Sequence, residues 1–354
     1  MKKSLLALAV LGAFAASAHA QSSVTVYGSF DGGVRYVNNV NAAGDDRTSV
    51  SSNGTFNSNR LGFRGVEDLG GGLNARFTLE SGFNTGTGAF DNAANNIFNR
   101  TAAVGIGGAW GGIDLGRQYS VSFKTIGAYD PFNYKYTGII PLAAAAAGSG
   151  ATSIGGTRFN NDIQYTGTFG PATIRAEYAL GETTGSNSNG SAVAVGGTFA
   201  TGPFSVGGAY TQKKPNVGTA AAPNFQDNNQ WTIGGAYKIA ALRVAGGYIR
   251  EKQEFAAAAD TTVKNGWIGA SYNFTPAFEL SGAWYQTKTN VAVLGDGKRD
   301  LFIFGAIYSL SKRTNIYADI DYARLSGTSR LINPATGASQ DRQTGFSVGL
   351  NHLF

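Results

Sequence analysis

Along most of this 354-residue chain apolar and polar residues take turns one by one, the period of a β-strand whose two faces meet different surroundings. In the first such segment Val24, Val26, Gly28, Phe30, Gly32, Val34 and Tyr36 are apolar or glycine, while the intervening Ser23 to Arg35 positions are mainly polar. Leu73, Ala75, Phe77 and Leu79 alternate likewise with Asn74, Arg76, Thr78 and Glu80. Ile316, Ala318, Ile320 and Tyr322 alternate with Asn315, Tyr317, Asp319 and Asp321, and the chain ends on Phe346, Val348, Leu350, His352 and Phe354 in the same pattern. One such segment would suit any half-buried antiparallel strand. Their recurrence over the whole length carries the weight.

The joints between segments come in two lengths that take turns. Short ones fall at 68–72, 107–112, 167–171, 201–203, 238–241, 273–277 and 310–314. Long polar ones fall near 38–58, 84–97, 119–157, 181–190, 214–229, 252–262, 288–298 and 324–341. Seven short and eight long joints imply sixteen strands, with both termini on the side of the short turns. This predicts an all-β fold, a 16-stranded antiparallel transmembrane β-barrel with short periplasmic turns and long outer loops. A sheet closed on itself leaves no unpaired edge in lipid. A large secreted β-sandwich or solenoid is the soluble alternative, but it predicts neither the short–long order nor an apolar outward face. Aromatics near strand ends on the apolar face, among them Tyr36, Tyr210, Trp231, Tyr237, Tyr272, Phe274 and Trp284, suit interfacial girdles.

The first twenty residues have another purpose. Lys2 and Lys3, the apolar run from Leu5 to Phe14, and Ala18-His19-Ala20 form a secretory signal peptide, residues 1–20, cleaved before Gln21. Residues 21–354 then form a single barrel domain. The formal charge of +6 falls to +4 once the two lysines leave, too dilute for a nucleic-acid protein. Charged residues are 14% of the chain, well under the roughly 25% of soluble domains, as expected if one face of every strand meets lipid. Cysteine is absent, which excludes disulfide scaffolds and Cys-ligated metal centres. No cofactor, metal site or catalytic residue is expected. The one histidine of the mature chain, His352, lies on the apolar face two residues from the end, whereas a Ser–His–acid triad would need it held by an acid and next to a serine.

Several stretches are specific enough to carry a resemblance: "SSVTVYGSFDGG" from Ser22, "NRLGFRGVEDLGGGLNARFTLESGF" from Asn59, "LGRQYS" from Leu115, "LSKRTNIYADIDYAR" from Leu310 and the terminal "VGLNHLF". On these the chain resembles the general diffusion porins of the Gram-negative outer membrane, of the β-proteobacterial type, over essentially all of its mature length. The resemblance implies a homotrimer in contact with outer-membrane lipid and lipopolysaccharide. It also implies that the third loop, 119–157, folds into the lumen as a constriction, and that the terminal Phe354 is part of the signal read by the barrel-assembly machinery.

By the same resemblance Arg60, Arg100 and Arg158 match a basic ladder on the pore wall. Parity adds Arg64, which shares the face of Arg60 while Leu61 and Phe63 face lipid. Parity also supports Arg158, with Asn160, Asp162 and Gln164 on its side and Phe159, Ile163 and Tyr165 opposite. Arg100 is harder, because alternation joins it to Ala102, Val104 and Ile106, and an arginine on the lipid side at mid-depth costs roughly 2–4 kcal/mol. Either a bulge changes the face, or the row Thr101, Ala103, Gly105 and Gly107 faces outward at a subunit contact; the second is the expectation adopted. The third loop contributes Lys124 and Lys135, and its single acid, Asp130, is expected to oppose the ladder and set a transverse field. Three arginines and two lysines against one aspartate would give a surplus of +4 if all converge. Such an excess in a narrow water-filled neck favours anions. The expected function is passive diffusion of small hydrophilic solutes and inorganic anions. A substrate-specific channel for phosphate or an organic acid, and an outer-membrane hydrolase, are the alternatives.

Overall fold

The computed structural model describes residues 23–50, 55–92, 95–136, 156–219, 221–254, 260–291, 295–332 and 336–354. The signal peptide and the apolar run Leu142–Ala147 lie outside them. In chain order the strands are β1 Ser23–Val37, β2 Arg47–Val50, β3 Arg60–Gly70, β4 Leu73–Gly82, β5 Thr101–Gly108, β6 Gly111–Tyr119, β7 Arg158–Phe169, β8 Ala172–Ala179, β9 Ala192–Thr201 and β10 Phe204–Lys213. They continue as β11 Asn228–Ile239, β12 Leu242–Gln253, β13 Thr261–Thr275, β14 Phe278–Val291, β15 Gly295–Ser309, β16 Thr314–Gly327, β17 Leu331–Ile332, β18 Ser339–Gln340 and β19 Arg342–Leu353.

Sixteen of these build the wall, each antiparallel to the next. The short β2 pairs with β1 inside the first loop, and β17 with β18 inside the last. Closure is made by β1, whose first half, Ser23–Ser29, pairs with β3 and whose second half, Ser29–Val37, pairs with β19. The terminal Phe354 completes the seam. Its N–H donates to Gly28 O (3.2 Å), its carbonyl accepts from Gly28 N (3.1 Å), and its ring lies 5.8 Å from that of Phe30. No edge is left to face lipid.

The faces fall as the alternation requires. Val24 and Phe304, on the outer face, are 65% and 62% exposed, whereas Ser29 and Asp31 between the outward residues of β1 are fully covered. Tight turns close one end. In the turn between β3 and β4, Gly70, Gly71 and Gly72 all have positive φ, a conformation strained for residues with a Cβ. One joint is shorter than its sequence suggests. β14 and β15 run on to Val291 and Gly295, so the polar residues at 288–291 and 295–298 extend the wall instead of forming a loop.

The described part of the third loop, 120–136, lies inside the barrel. Helix α1, Val121–Ile126, is capped by Ser120 Oγ, which accepts from Phe123 N, and a 3-10 turn, Gly127–Tyr129, follows. The segment lies along the inner faces of β9 to β15, where small residues make room. A Cβ on Gly234 would come within 2.6 Å of the Tyr129 ring, one on Gly269 within 2.8 Å of Pro131, and one on Gly305 would collide with the Tyr136 hydroxyl. Around these gaps Ile126, Tyr129, Phe132 and Tyr136 pack with Ile249, Trp267, Tyr285, Leu301 and Ile303. These inward apolar wall residues depart from the simple polar-inside rule, because the loop rather than water covers them. From the first loop Phe56 joins the cluster, stacked on Tyr317 at 4.8 Å, and its carbonyl accepts from Tyr136 N (2.7 Å).

Filling one of these gaps should displace the loop without opening the wall. Gly234→Val is expected to leave barrel folding intact, judged by heat-modifiable migration, and to lower single-channel conductance as Tyr129 is pushed toward the open lumen. An unchanged conductance would show that the loop does not rest on this glycine.

Candidate functional site

Opposite the seated loop, the wall formed by β1 and β3–β7 carries the arginines. Inward positions of β1 and β3 bring Tyr27, Arg60 and Arg64 together, with the Arg64 guanidinium 5.4 Å from the Tyr27 ring centroid. The Tyr27 hydroxyl donates to Glu80 Oε2 (3.0 Å), and Arg100 Nε donates to Glu80 Oε1 (2.6 Å). Arg100 also donates to the Tyr119 hydroxyl (2.6 Å), and Arg158 lies over that ring at 4.0 Å. Arg60 donates to Asn57 Oδ1 (2.8 Å). Through Tyr27, Glu80 and Tyr119 the structure brings Arg64, Arg100 and Arg158 into one cluster, with Arg60 beside it on β3.

Two of these arginines reach the cluster by routes that alternation did not anticipate. Thr101 pairs with Glu80 and shares its inward face, while Val104 and Ile106 are 57% and 45% exposed on the outer surface. The expected outward row of Thr101, Ala103, Gly105 and Gly107 is therefore corrected: the outward row is Ala102, Val104 and Ile106. Arg100 precedes the first ladder pair of β5, so strand parity does not govern it, and it bends inward to Glu80. At the start of β7 the register against β6 shifts between Gly116 and Gln118, and Asn161 takes a positive φ of 53°. That irregularity turns Phe159 inward, onto Ala179 and Ala192, correcting its expected lipid facing. Arg158 joins the cluster by lying over Tyr119.

The loop charges are placed differently from the sequence expectation. Asp130 does not face the ladder; it is fully buried, accepting from the Tyr285 hydroxyl (2.5 Å) and from Tyr134 N (2.8 Å). Burial pushes its carboxyl up to about 6. It latches the loop to β14, and neighbouring loop carbonyls are held by β12 and β13. Arg243 donates to the carbonyls of Ala128 (2.6 Å), Asp130 (3.0 Å) and Pro131 (3.3 Å), and Trp267 Nε1 donates to Tyr129 O (2.9 Å). Lys135 lies 5.1 Å from the Phe56 ring, and burial lowers its pKa.

Lys124 turns to the wall beneath the arginines, donating to Gln118 Oε1 (3.2 Å) and to Gln164 Oε1. Burial lowers its pKa as well. With Arg76 and Arg175 it lines a recess of about 520 Å³. The carboxylates here have partners of their own. Asp114 takes two hydrogen bonds from Arg76 (2.8 and 2.9 Å), and Glu177 accepts from Gln164 and Val121 N. Among the described residues Arg60, Arg64 and Arg158 form no ion pair with a carboxylate, whereas Arg76 and Arg100 do. Glu80, Tyr119 and Arg243 were not singled out from sequence. The inward parity of Glu80 and Arg243 was a readable signal, but their partners lie 20 or more residues away.

Comparison with known proteins fits this layout. A family model described as Gram-negative porin matches residues 7–328. The chain belongs to the Gram-negative porin family. This porin is 35% identical over 372 residues to outer membrane porin protein 32 of Delftia acidovorans, and 29% identical over 407 residues to an outer membrane porin of Bordetella pertussis, covering each chain in full. Among solved structures it resembles an anion-selective porin from Comamonas acidovorans, with TM-score 0.77 and 28% identity over 94% of this chain and 100% of that one. The porin is thus an outer-membrane channel, with the arginine-bearing strands β1 and β3–β7 across the barrel from the strands that seat the loop.

The buried Asp130 latch gives this porin a pH dependence. Between about 4 and about 6 the docked loop holds the proton that a free carboxyl would release. The raised value therefore contributes to docking fully below that window, and the contribution is lost as pH rises through 6. Hydrogen-exchange protection of amides 121–136 should fall from pH 4 to pH 7, and Asp130→Asn should flatten that change. Protection that rises with pH would contradict the assignment.

Proposed function

We propose that this porin is a general diffusion channel with a preference for anions, working as a homotrimer and entered by small hydrophilic solutes and inorganic anions. The observation that carries the preference is the absence of carboxylate partners for Arg60, Arg64 and Arg158 among the described residues, beside a loop whose sole acid is buried in its own latch. A unit charge ~5 Å from an ion's path in water biases it by about 0.5–0.8 kcal/mol at 0.1 M salt, roughly a two- to fourfold change in local concentration. Cations are depleted as anions accumulate, so the effect on a permeability ratio is about the square of that figure. Glu80 and Asp114 temper the field by answering Arg100 and Arg76.

The remaining assignments follow from the same reading. Residues 1–20 direct export and are removed, leaving 21–354 as the barrel. Phe354, seated against Gly28 at the seam, serves as the recognition end for the barrel-assembly machinery. No catalytic role is assigned to any residue. The preference is tested by zero-current potential across a planar bilayer in a KCl gradient. The wild-type channel should give the anion sign, and Arg60→Gln with Arg64→Gln should cut the chloride-to-potassium permeability ratio by at least about fivefold. A cation sign in the wild type, or a ratio unmoved by the substitutions, would refute it.

A further inference from the structure

One piece of the first loop touches both the constriction loop and the arginine wall. In the polar run 51–59, SSNGTFNSN, Phe56 is the single apolar residue, yet it is 2% exposed. Its ring stacks on Tyr317 of β16 at 4.8 Å and packs edge-to-face with Tyr136 at 5.4 Å. Lys135 Nζ lies 5.1 Å from the same ring, within reach of a cation–π attraction. The Phe56 carbonyl accepts from Tyr136 N (2.7 Å). A single residue of the first loop therefore engages the ring, the backbone and the charge at the far end of the described segment 120–136.

The next residue turns to the arginines. Asn57 Oδ1 accepts from Arg60 Nη2 (2.8 Å), while Asn57 N donates to Asp31 Oδ2 (2.8 Å). Asp31, fully covered on β1, also accepts from the Tyr317 hydroxyl (2.7 Å), and its own N–H donates to Asn59 Oδ1 (2.5 Å). The N–H groups of Thr55 and Phe56 turn to the same carboxylate. A buried carboxylate met by several donors fixes a loop backbone more firmly than neutral contacts do. The Arg60 guanidinium, with no carboxylate partner among the described residues, depends on such a neutral acceptor to restrict its long side chain. We propose that Phe56 and Asn57 are positioning residues of the channel. Phe56 pins the far end of the constriction loop to the wall, and Asn57 holds the Arg60 guanidinium beside the arginine cluster, so the first loop sets both the width and the charge of the passage. The role of Asn57 rests on the reading of Arg60 as part of the anion-favouring wall; the role of Phe56 does not.

Both roles are tested on the full folded barrel, each variant read against the wild type. Asn57→Ala keeps the backbone bond to Asp31 and removes only the acceptor. It should lower the chloride-to-potassium permeability ratio about twofold, and should change nothing in an Arg60→Gln background, because the two residues act as one. A ratio that does not fall, or an equal fall in that background, would overturn the role of Asn57. A wild-type channel of cation sign would remove the anion preference and still leave this coupling measurable. Phe56→Ala should speed amide exchange at 132–136 about tenfold or more while α1 keeps its wild-type rates, and should add noise to the open-channel current. Phe56→Leu, which refills most of the space, should restore most of the protection. Unchanged exchange at 132–136, exchange that rises alike from 121 to 136, or an open-channel current as quiet as that of the wild type would overturn the role of Phe56. Should Phe56→Ala fail to fold, Phe56→Val takes its place with the same outcomes.

Discussion

The seating of Val121–Tyr136 on the inner faces of β9–β15 is the contact on which the shape and charge of the passage depend. It is held by three kinds of force at once. Glycines at 234, 269 and 305 remove the side chains that would keep the loop off the wall. Tyr129, Phe132 and Tyr136 exchange water for the apolar cluster around Trp267 and Tyr285. Arg243 and Trp267 donate to loop carbonyls that would otherwise be buried without partners. Together these fill one side of the lumen, across the barrel from the strands that carry Arg60, Arg64 and Arg158.

This seating also accounts for features of composition that strand period alone does not explain. Part of the high glycine content, 51 of 354 residues, serves the loop's footprint, beyond turns and close strand contacts. Stretches such as Leu301-Phe302-Ile303-Phe304 are apolar on both faces. Lipid covers Phe302 and Phe304, and the loop covers Leu301 and Ile303. A strand apolar on both sides in an otherwise two-faced chain is thus a readable mark of an internal plug.

The barrel was legible because lipid imposes its period on every wall strand, so errors in any one segment leave the count of sixteen untouched. Arg60 and Arg64 were legible for the same reason, both lying in ladder register with β1 where parity is strict. Arg100 was not, because it sits one residue before its strand begins and its side chain is turned by Glu80 rather than by the ladder. Phe159 was misread because a register shift breaks the alternation next to Arg158. Asp130 was misplaced because its partner, Tyr285, lies 155 residues away, and nothing local distinguishes a latch from an ion-facing acid. The polar ends of β14 and β15 looked like loop because strand pairing continues there after the apolar alternation has stopped.

The absence of native cysteine makes a lumen divided into a loop-filled half and an open, arginine-walled half directly measurable. Single thiols placed by Arg64→Cys and by Ala283→Cys, the latter beside Pro131 under the loop, can be titrated with a small anionic thiol reagent while conductance is recorded. Arg64→Cys should be modified rapidly, with a fall in conductance. The thiol of Ala283→Cys should react only as the loop opens, slower by about two orders of magnitude or more. Comparable rates at the two positions would contradict it, showing that the loop does not cover that half of the lumen.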